Sequence, residues 1–237
     1  MDIGVPFRRL GPVDIGPTLE LLASLGEDAW QTNRLRQDLL AASPHRGTTR
    51  SILLKYNWLP YQQPWGIRTM RELVEQWCRQ EDIDPAPLTP DIEQETDQGH
   101  VNVFPQWAAF RDIVGPLVDQ TTAYLDAPRG IATRIAIVEM APGGKIAPHV
   151  DGQAHAAAAH RLHIPLIAPP GVEYKIDGKK FKMQPGYAYD FNNRKQHSVR
   201  NRSPRPRVNI LIDFLPNPGA PMQTALPPAA RRAQAPR

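Results

Sequence analysis

A chain of 237 residues, 41% hydrophobic and 22% charged, can enclose one sizeable core, since domains run to about 100–200 residues. Its 26 Pro and 16 Gly argue against an all-helical fold. No run approaches the roughly 18 apolar residues of a membrane span, and Met1–Arg9 lacks the apolar stretch of a signal peptide, so a soluble cytoplasmic protein is expected. A net charge of +4 does not mark a nucleic-acid binder.

From the N-terminus to about Asp126, helical and extended signals alternate. Pro17–Leu25 reads as a short helix closed by Gly26. Thr69-Met70-Arg71-Glu72 has the spacing of a capping box, and Met70, Leu73, Val74 and Trp77 then recur at helical intervals. A third helix begins near Pro105 with Trp107, Phe110, Ile113, Val114, Leu117, Val118 and Tyr124 on one stripe, and Pro116 is expected to kink or split it. Trp58, Tyr61 and Trp65 are candidates for a substrate cleft, although packing of helices on a sheet explains them as well.

From Gly130 the pattern changes to eight short β-rich runs: 131–140, 145–151, 161–167, 172–176, 180–183, 187–191, 197–200 and 207–214. Such spacing suggests a sandwich or barrel. Asp177-Gly178 is a two-residue hairpin signal, and Ala141-Pro142-Gly143-Gly144 is a second tight connection. The expected organisation is a helical and extended flank over residues 1–126, a β core over 127–216, and a Pro/Ala/Arg-rich tail over 217–237 without order of its own, all within one structural domain.

Charge is unevenly spread. Glu81 to Gln98 holds seven acids and no base, whereas the chain from Arg194 onward holds nine bases against Asp213 alone. Solvated surfaces account for both stretches; alternatively, part of the basic excess attracts an anionic substrate.

Alternate residues of a strand share a face, so Arg161 and His163 stand opposite Leu162, Ile164 and Leu166. In the last strand Arg207, Asn209 and Asp213 stand opposite Val208, Ile210, Ile212 and Phe214. A half-buried antiparallel sheet gives the same alternation without any site. His149-Val150-Asp151 adds an imidazole and a carboxylate on one strand face, and His197 opens a later strand. Two histidines and a carboxylate can occupy one face of an octahedron around Fe(II). The single Cys78 forms no internal disulfide and no thiolate site by itself, so any metal falls to His and carboxylate. Arg207, ten positions beyond His197, offers the bidentate cation that a buried dicarboxylate needs. His155 and His160, at the Ala-rich loop Gly152–Ala159, are read as solvent-exposed and not as ligands.

These motifs resemble the aspartyl/asparaginyl β-hydroxylase family of Fe(II)- and 2-oxoglutarate-dependent dioxygenases, a group that also includes bacterial proline cis-4-hydroxylases. The resemblance runs from about Ile131 to Pro216 and is carried by Met140–Asp151, Arg161–Leu166, Phe191-Asn192-Asn193, His197–Asn201, and Arg207 with Ile212-Asp213. It implies a mainly β protein with flanking helices around a double-stranded β-helix, a cupin-like jelly-roll with the metal at one open end. It further implies that His149, Asp151 and His197 bind Fe(II), that Arg207 pairs with the distal carboxylate of 2-oxoglutarate, and that Arg161 and His163 help fix that cosubstrate. The animal aspartyl hydroxylase has glycine in place of the carboxylate ligand; Asp151 places this chain with the members that keep a full triad, so the animal enzyme's substrate is not carried over.

The reaction implied is hydroxylation of an unactivated C–H on an amino-acid side chain, free or peptide-borne, using dioxygen and releasing succinate and CO2. Two alternatives remain at this point: a jelly-roll binding module without turnover, and a cupin-like metalloenzyme that does not use 2-oxoglutarate. No membrane or nucleic-acid partner is expected.

Overall fold

The computed structural model describes residues 1–31, 36, 47–59, 69–152 and 154–217. Along the chain come β1 (Phe7–Pro12), α1 (Gly16–Leu25), α2 (Asp28–Gln31), β2 (Thr49–Trp58), α3 (Met70–Glu81), β3 (Asp91–Thr96), β4 (Gly99–Val103) and α4 (Trp107–Thr122). Then follow β5 (Gly130–Met140), β6 (Lys145–His149), α5 (Ala154–Ala158), β7 (His160–Ile167), β8 (Val172–Ile176), β9 (Lys179–Phe181), β10 (Tyr187–Phe191), β11 (His197–Asn201) and β12 (Arg207–Pro216). Tyr61, Trp65 and the tail from residue 218 lie outside the described residues. Among the described residues no helix is long and apolar enough to cross a membrane.

The eight strands expected after Gly130 divide equally between two antiparallel sheets. β10, β7, β12 and β5 are neighbours in one, and β6, β11, β8 and β9 form the other. This is the jelly-roll expected of the core. The first sheet does not stop there: β1 pairs with β10 at one edge, and β2, β4 and β3 extend it beyond β5, giving eight strands in the order β1-β10-β7-β12-β5-β2-β4-β3. The four N-terminal strands have no eight-strand rhythm of their own to announce them; they are held by pairing with the core. At the β3 edge, Asp91, Glu93 and Glu95 present charge that discourages further strand addition.

The alternation read from the sequence separates two environments. Leu162, Ile164, Val208, Ile210, Ile212 and Phe214 are almost fully buried and pack with Ile135 and Ile137 against α4 and α1. Each such side chain contributes about 1.5–3 kcal/mol on burial, so this face carries much of the fold. The opposite face, turned toward the second sheet, keeps Arg161, His163, Arg207, Asn209 and Asp213.

α3 starts at the expected capping box: the Glu72 N–H donates to Thr69 Oγ1 at 3.1 Å, and the Thr69 N–H donates to Glu72 Oε2 at 3.1 Å. Its apolar stripe, Met70, Leu73, Val74 and Trp77, packs with Leu53, Ala136 and Trp58, so Trp58 belongs to helix–sheet packing. α4 is not split at Pro116. Proline removes one bond, to the Asp112 carbonyl, but both residues are exposed, and Phe110, Val114, Leu117 and Val118 anchor the helix on either side.

Candidate metal centre

The turn after β5 sets the entry to the site. Gly143 has φ +74°, a left-handed conformation that glycine adopts without strain. Gly144 admits no Cβ, because one would lie 2.8 Å from Met140 Cγ and 2.9 Å from the Ala141 carbonyl. Buried Asn201, at the end of β11, donates to the carbonyls of Ala141 and Arg205, and its N–H donates to the Gly144 carbonyl at 2.9 Å. The turn is thereby tied to β11, and β6 runs beside it.

In that register His149 and His197 are paired directly across β6 and β11, with ring centroids 4.2 Å apart. Asp151 follows just beyond β6, its backbone N–H donating to the Asn193 carbonyl at 3.1 Å and its carbonyl accepting from Arg194 Nη1. One donor atom from each of His149, Asp151 and His197 falls within 4.8 Å of the others.

The imidazoles are oriented for ligation. His149 Nδ1 lies 2.9 Å from the Ala147 carbonyl and His197 Nδ1 lies 2.9 Å from the Lys195 carbonyl. A carbonyl only accepts, so Nδ1 carries the proton in each ring and Nε2 presents a lone pair. Burial pushes the His197 pKa down to about 4, which keeps the ring neutral near neutral pH. Phe191 packs edge-on against His197 at 4.9 Å and excludes water from that side.

Behind the triad, three charged residues stand side by side on β7, β12 and β5: Arg161 pairs in register with Asp213, and Asp213 with Arg134. Arg161 donates from Nε and Nη2 to the two oxygens of Asp213 at 2.6 and 3.0 Å, and from Nη1 to Asp151 Oδ2 at 2.6 Å. Arg134 Nη1 reaches Asp213 Oδ2 at 3.4 Å. Burial works against the Arg161 charge, but Asp213 and Asp151 outweigh it and raise its pKa. Burial likewise acts to raise the Asp213 pKa, yet Arg161 and Arg134 hold it well below the usual carboxylate range. Arg161, expected to help fix a cosubstrate, thus has three donor atoms on carboxylates, one of which is Asp151.

Arg207 is in a different state. It is 4% exposed, its Nε donates to Tyr174 Oη at 2.8 Å, and among the described residues no carboxylate pairs with it. Asn209 Nδ2 donates to Tyr174 Oη and to His163 Nδ1, both at 3.2 Å, so His163 carries its proton on Nε2. Arg207, His163, Asn209 and the triad line one cavity of about 400 Å³ between the sheets.

His155 and His160 are not exposed loop residues. His155 lies on α5, 3% exposed, with Nε2 3.2 Å from Thr133 Oγ1 and 3.5 Å from Asp213 Oδ2; His160 Nδ1 is 2.8 Å from Asp190 Oδ2 in β10. The Ala-rich segment that looked like a loop forms a helix turn packed on the sheet, and each imidazole serves a buried carboxylate. Asp213 and Tyr174 were not assigned roles from sequence, although the polar face of β12 and the alternation Val172, Tyr174, Ile176 carried the signal for both.

Residues 114–216 match the family model described as aspartyl/asparaginyl beta-hydroxylase, which bears out the resemblance carried by the motifs. With the jelly-roll, that match defines the class: the protein is an enzyme of the dioxygenase/hydroxylase kind. No curated protein matches the chain in sequence. Among solved structures, an oxidoreductase of the 2OG-Fe(II) oxygenase family from Burkholderia pseudomallei is 14% identical, covering 75% of this chain and 70% of that one at a TM-score of 0.39. The Cupin_2 domain of an XRE family transcriptional regulator from Enterobacter cloacae is 23% identical, covering 35% of this chain and 82% of that one at a TM-score of 0.29. KdgF from Halomonas sp. is 18% identical, with 34% and 66% covered and a TM-score of 0.27.

The buried charges give a pH signature. Burial, reinforced by Arg207 and Arg161, places the His163 pKa well below its ordinary value, while the unfolded chain titrates near ~6.5. Below that pH the unfolded chain binds a proton that the folded chain does not, so stability falls by up to ~1.4 kcal/mol per pH unit. The depressed Asp213 carboxyl adds a second loss below about pH 4. Urea midpoints should therefore decline from pH 7.5 to 5, and decline less steeply in His163→Gln. Identical slopes in the two proteins would count against a neutral, buried His163.

Proposed function

We propose that the protein is an Fe(II)- and 2-oxoglutarate-dependent dioxygenase that hydroxylates an unactivated C–H of an amino-acid side chain, free or within a peptide. The observation that carries this reading is Arg207: a buried guanidinium without a carboxylate partner among the described residues, in the same cavity as a His–Asp–His donor set. A buried cation is costly unless an anion joins it, and a guanidinium is matched to a carboxylate. The donor set suits iron, being two imidazole nitrogens and one carboxylate with no thiolate.

His149, Asp151 and His197 would hold the metal. When iron, 2-oxoglutarate and dioxygen are bound, the chemistry supplied is insertion of one oxygen atom into a C–H bond and of the other into succinate, with release of CO2. The chain's own residues supply positions. Arg207 pairs with the distal carboxylate of 2-oxoglutarate, and His163 Nε2–H donates into the same cavity. Arg161, fixed on Asp213, turns one oxygen of Asp151 toward itself and leaves the other for the metal. Phe191 and the apolar wall keep water from the reacting centre. A cupin-like enzyme without 2-oxoglutarate would leave Arg207 buried and unneutralised.

Arg207→Lys tests the reading, because it keeps the charge and removes the planar fork. Affinity for 2-oxoglutarate, titrated without oxygen, should fall by about 1.5–3 kcal/mol, roughly ten- to a hundredfold or somewhat more. Fe(II) binding should be almost unchanged. Unaltered 2-oxoglutarate affinity would remove Arg207 from the role; lost Fe(II) binding would point to a disturbed sheet instead.

A further inference from the structure

The imidazole carried by α5 is not among the residues that line the cavity, yet its bonds lead to the metal centre. Thr133 Oγ1 donates its single hydrogen to the Asp213 carbonyl at 3.1 Å, so toward His155 it only accepts. His155 Nε2, 3.2 Å away, therefore carries a proton and donates it, with Asp213 Oδ2 at 3.5 Å beside the same hydrogen. Nδ1 is buried and has no hydrogen-bond partner among the described residues, so Nε2 alone orients the ring.

Asp213 passes the constraint on. Its carboxylate is met by His155 from α5, Arg134 from β5 and Arg161 from β7. Arg161 binds it through both Nε and Nη2, and two fixed nitrogens fix the plane of a guanidinium and hence the direction of Nη1. Nη1 holds Asp151 Oδ2 at 2.6 Å, which leaves Oδ1 facing His149 Nε2 at 3.6 Å. A carboxylate released from that hold turns about a broad, two-fold torsion and presents either oxygen. A second link runs through the main chain: buried Asn193 donates from Nδ2 to the Ala156 carbonyl on α5 at 3.1 Å, and its own carbonyl accepts from the Asp151 N–H. α5 is thus tied to Asp151 by two routes.

We propose that His155 is a positioning residue for the metal centre, acting through Asp213 and Arg161 to set which oxygen of Asp151 is turned toward the metal. This rests on the reading of His149, Asp151 and His197 as the ligands. His155 bonds to Thr133 and Asp213, so its effect on the metal is indirect and is felt in the geometry of one ligand.

The test uses the full chain with Co(II) as the probe, since the visible absorption of that ion changes with the number and geometry of its ligands. His155→Phe fills the site but removes the donor; it should bind Co(II) about tenfold more weakly, the low end of the cost of losing an orienting partner, and with an altered spectrum. His155→Gln places an amide N–H near the position of Nε2 and should restore both. Val114→Ala, a buried truncation on α4, lowers stability without touching these contacts and should leave affinity and spectrum unchanged. Should His155→Phe not fold, His155→Asn, whose amide is too short to reach Thr133 and Asp213, takes its place with the same expected loss. Wild-type affinity and spectrum in the Phe or Asn variant, a Gln variant as impaired as they are, or an equal loss in Val114→Ala each overturns the proposal. Co(II) bound as tightly by His197→Ala as by the wild type overturns the ligand reading itself, and this inference with it.

Discussion

Replacing His197 by Ala should lower metal affinity by more than about a hundredfold, because loss of a partner that merely orients a ligand already costs about 10–100-fold. Fe(II)-dependent decarboxylation of 2-oxoglutarate should disappear with it. His197 faces His149 across β11 and β6, and among the described residues the donor group within 4.8 Å is His149, Asp151 and His197. The fold should survive, since the large sheet is held by Leu162, Ile164, Ile210 and Ile212 on its other face. Metal content by elemental analysis, succinate formation and far-ultraviolet circular dichroism check the three parts. Wild-type metal content and turnover in His197→Ala would make the triad assignment wrong.

Asp213→Asn is expected to cost about 3–5 kcal/mol of stability, the scale of breaking a buried ion pair by removing one partner. Asp213 is 1% exposed and serves Arg161 twice and Arg134 once. Asparagine keeps the shape but leaves two guanidiniums side by side without the charge between them. Arg161 is also the group that holds Asp151 at 2.6 Å, so the variant should bind Fe(II) more weakly even where it remains folded. Urea unfolding near pH 7.5 gives the first quantity and metal titration of the folded variant gives the second. Asp213→Asn should further lack the stability loss that the wild-type protein shows below about pH 4, as the carboxylate there becomes protonated. A variant as stable as the wild type would mean that Asp213 is not the common counter-ion of the two arginines.

Much of the site is legible in the residues alone. The two-residue period put Arg161, His163, Arg207, Asn209 and Asp213 on one face and the aliphatic residues on the other, because a strand cannot present neighbouring side chains to the same side. His149 and Asp151 sit two apart, so their company follows from local geometry. The capping box at Thr69 and the turn at Ala141–Gly144 are equally local, and the helix and strand they start fall where expected.

What the residues leave undecided is everything that depends on register and burial between distant segments. His197 meets His149 only because β11 lies beside β6 in that alignment, and Arg161, Asp213 and Arg134 form a row only because β7, β12 and β5 are neighbours. The Ala-rich stretch around His155 has the composition of an exposed loop, yet packing against β12 buries the ring beside Asp213. Pro116 is a helix breaker in isolation, but the anchors on either side of it outweigh one lost hydrogen bond. Local sequence thus determines which face a side chain takes and where turns fall, since those depend on a few covalently adjacent torsions. Which charges are paired and which are left for a ligand is decided by tertiary structure, because neutralisation requires groups far apart in the chain to be brought together and dried.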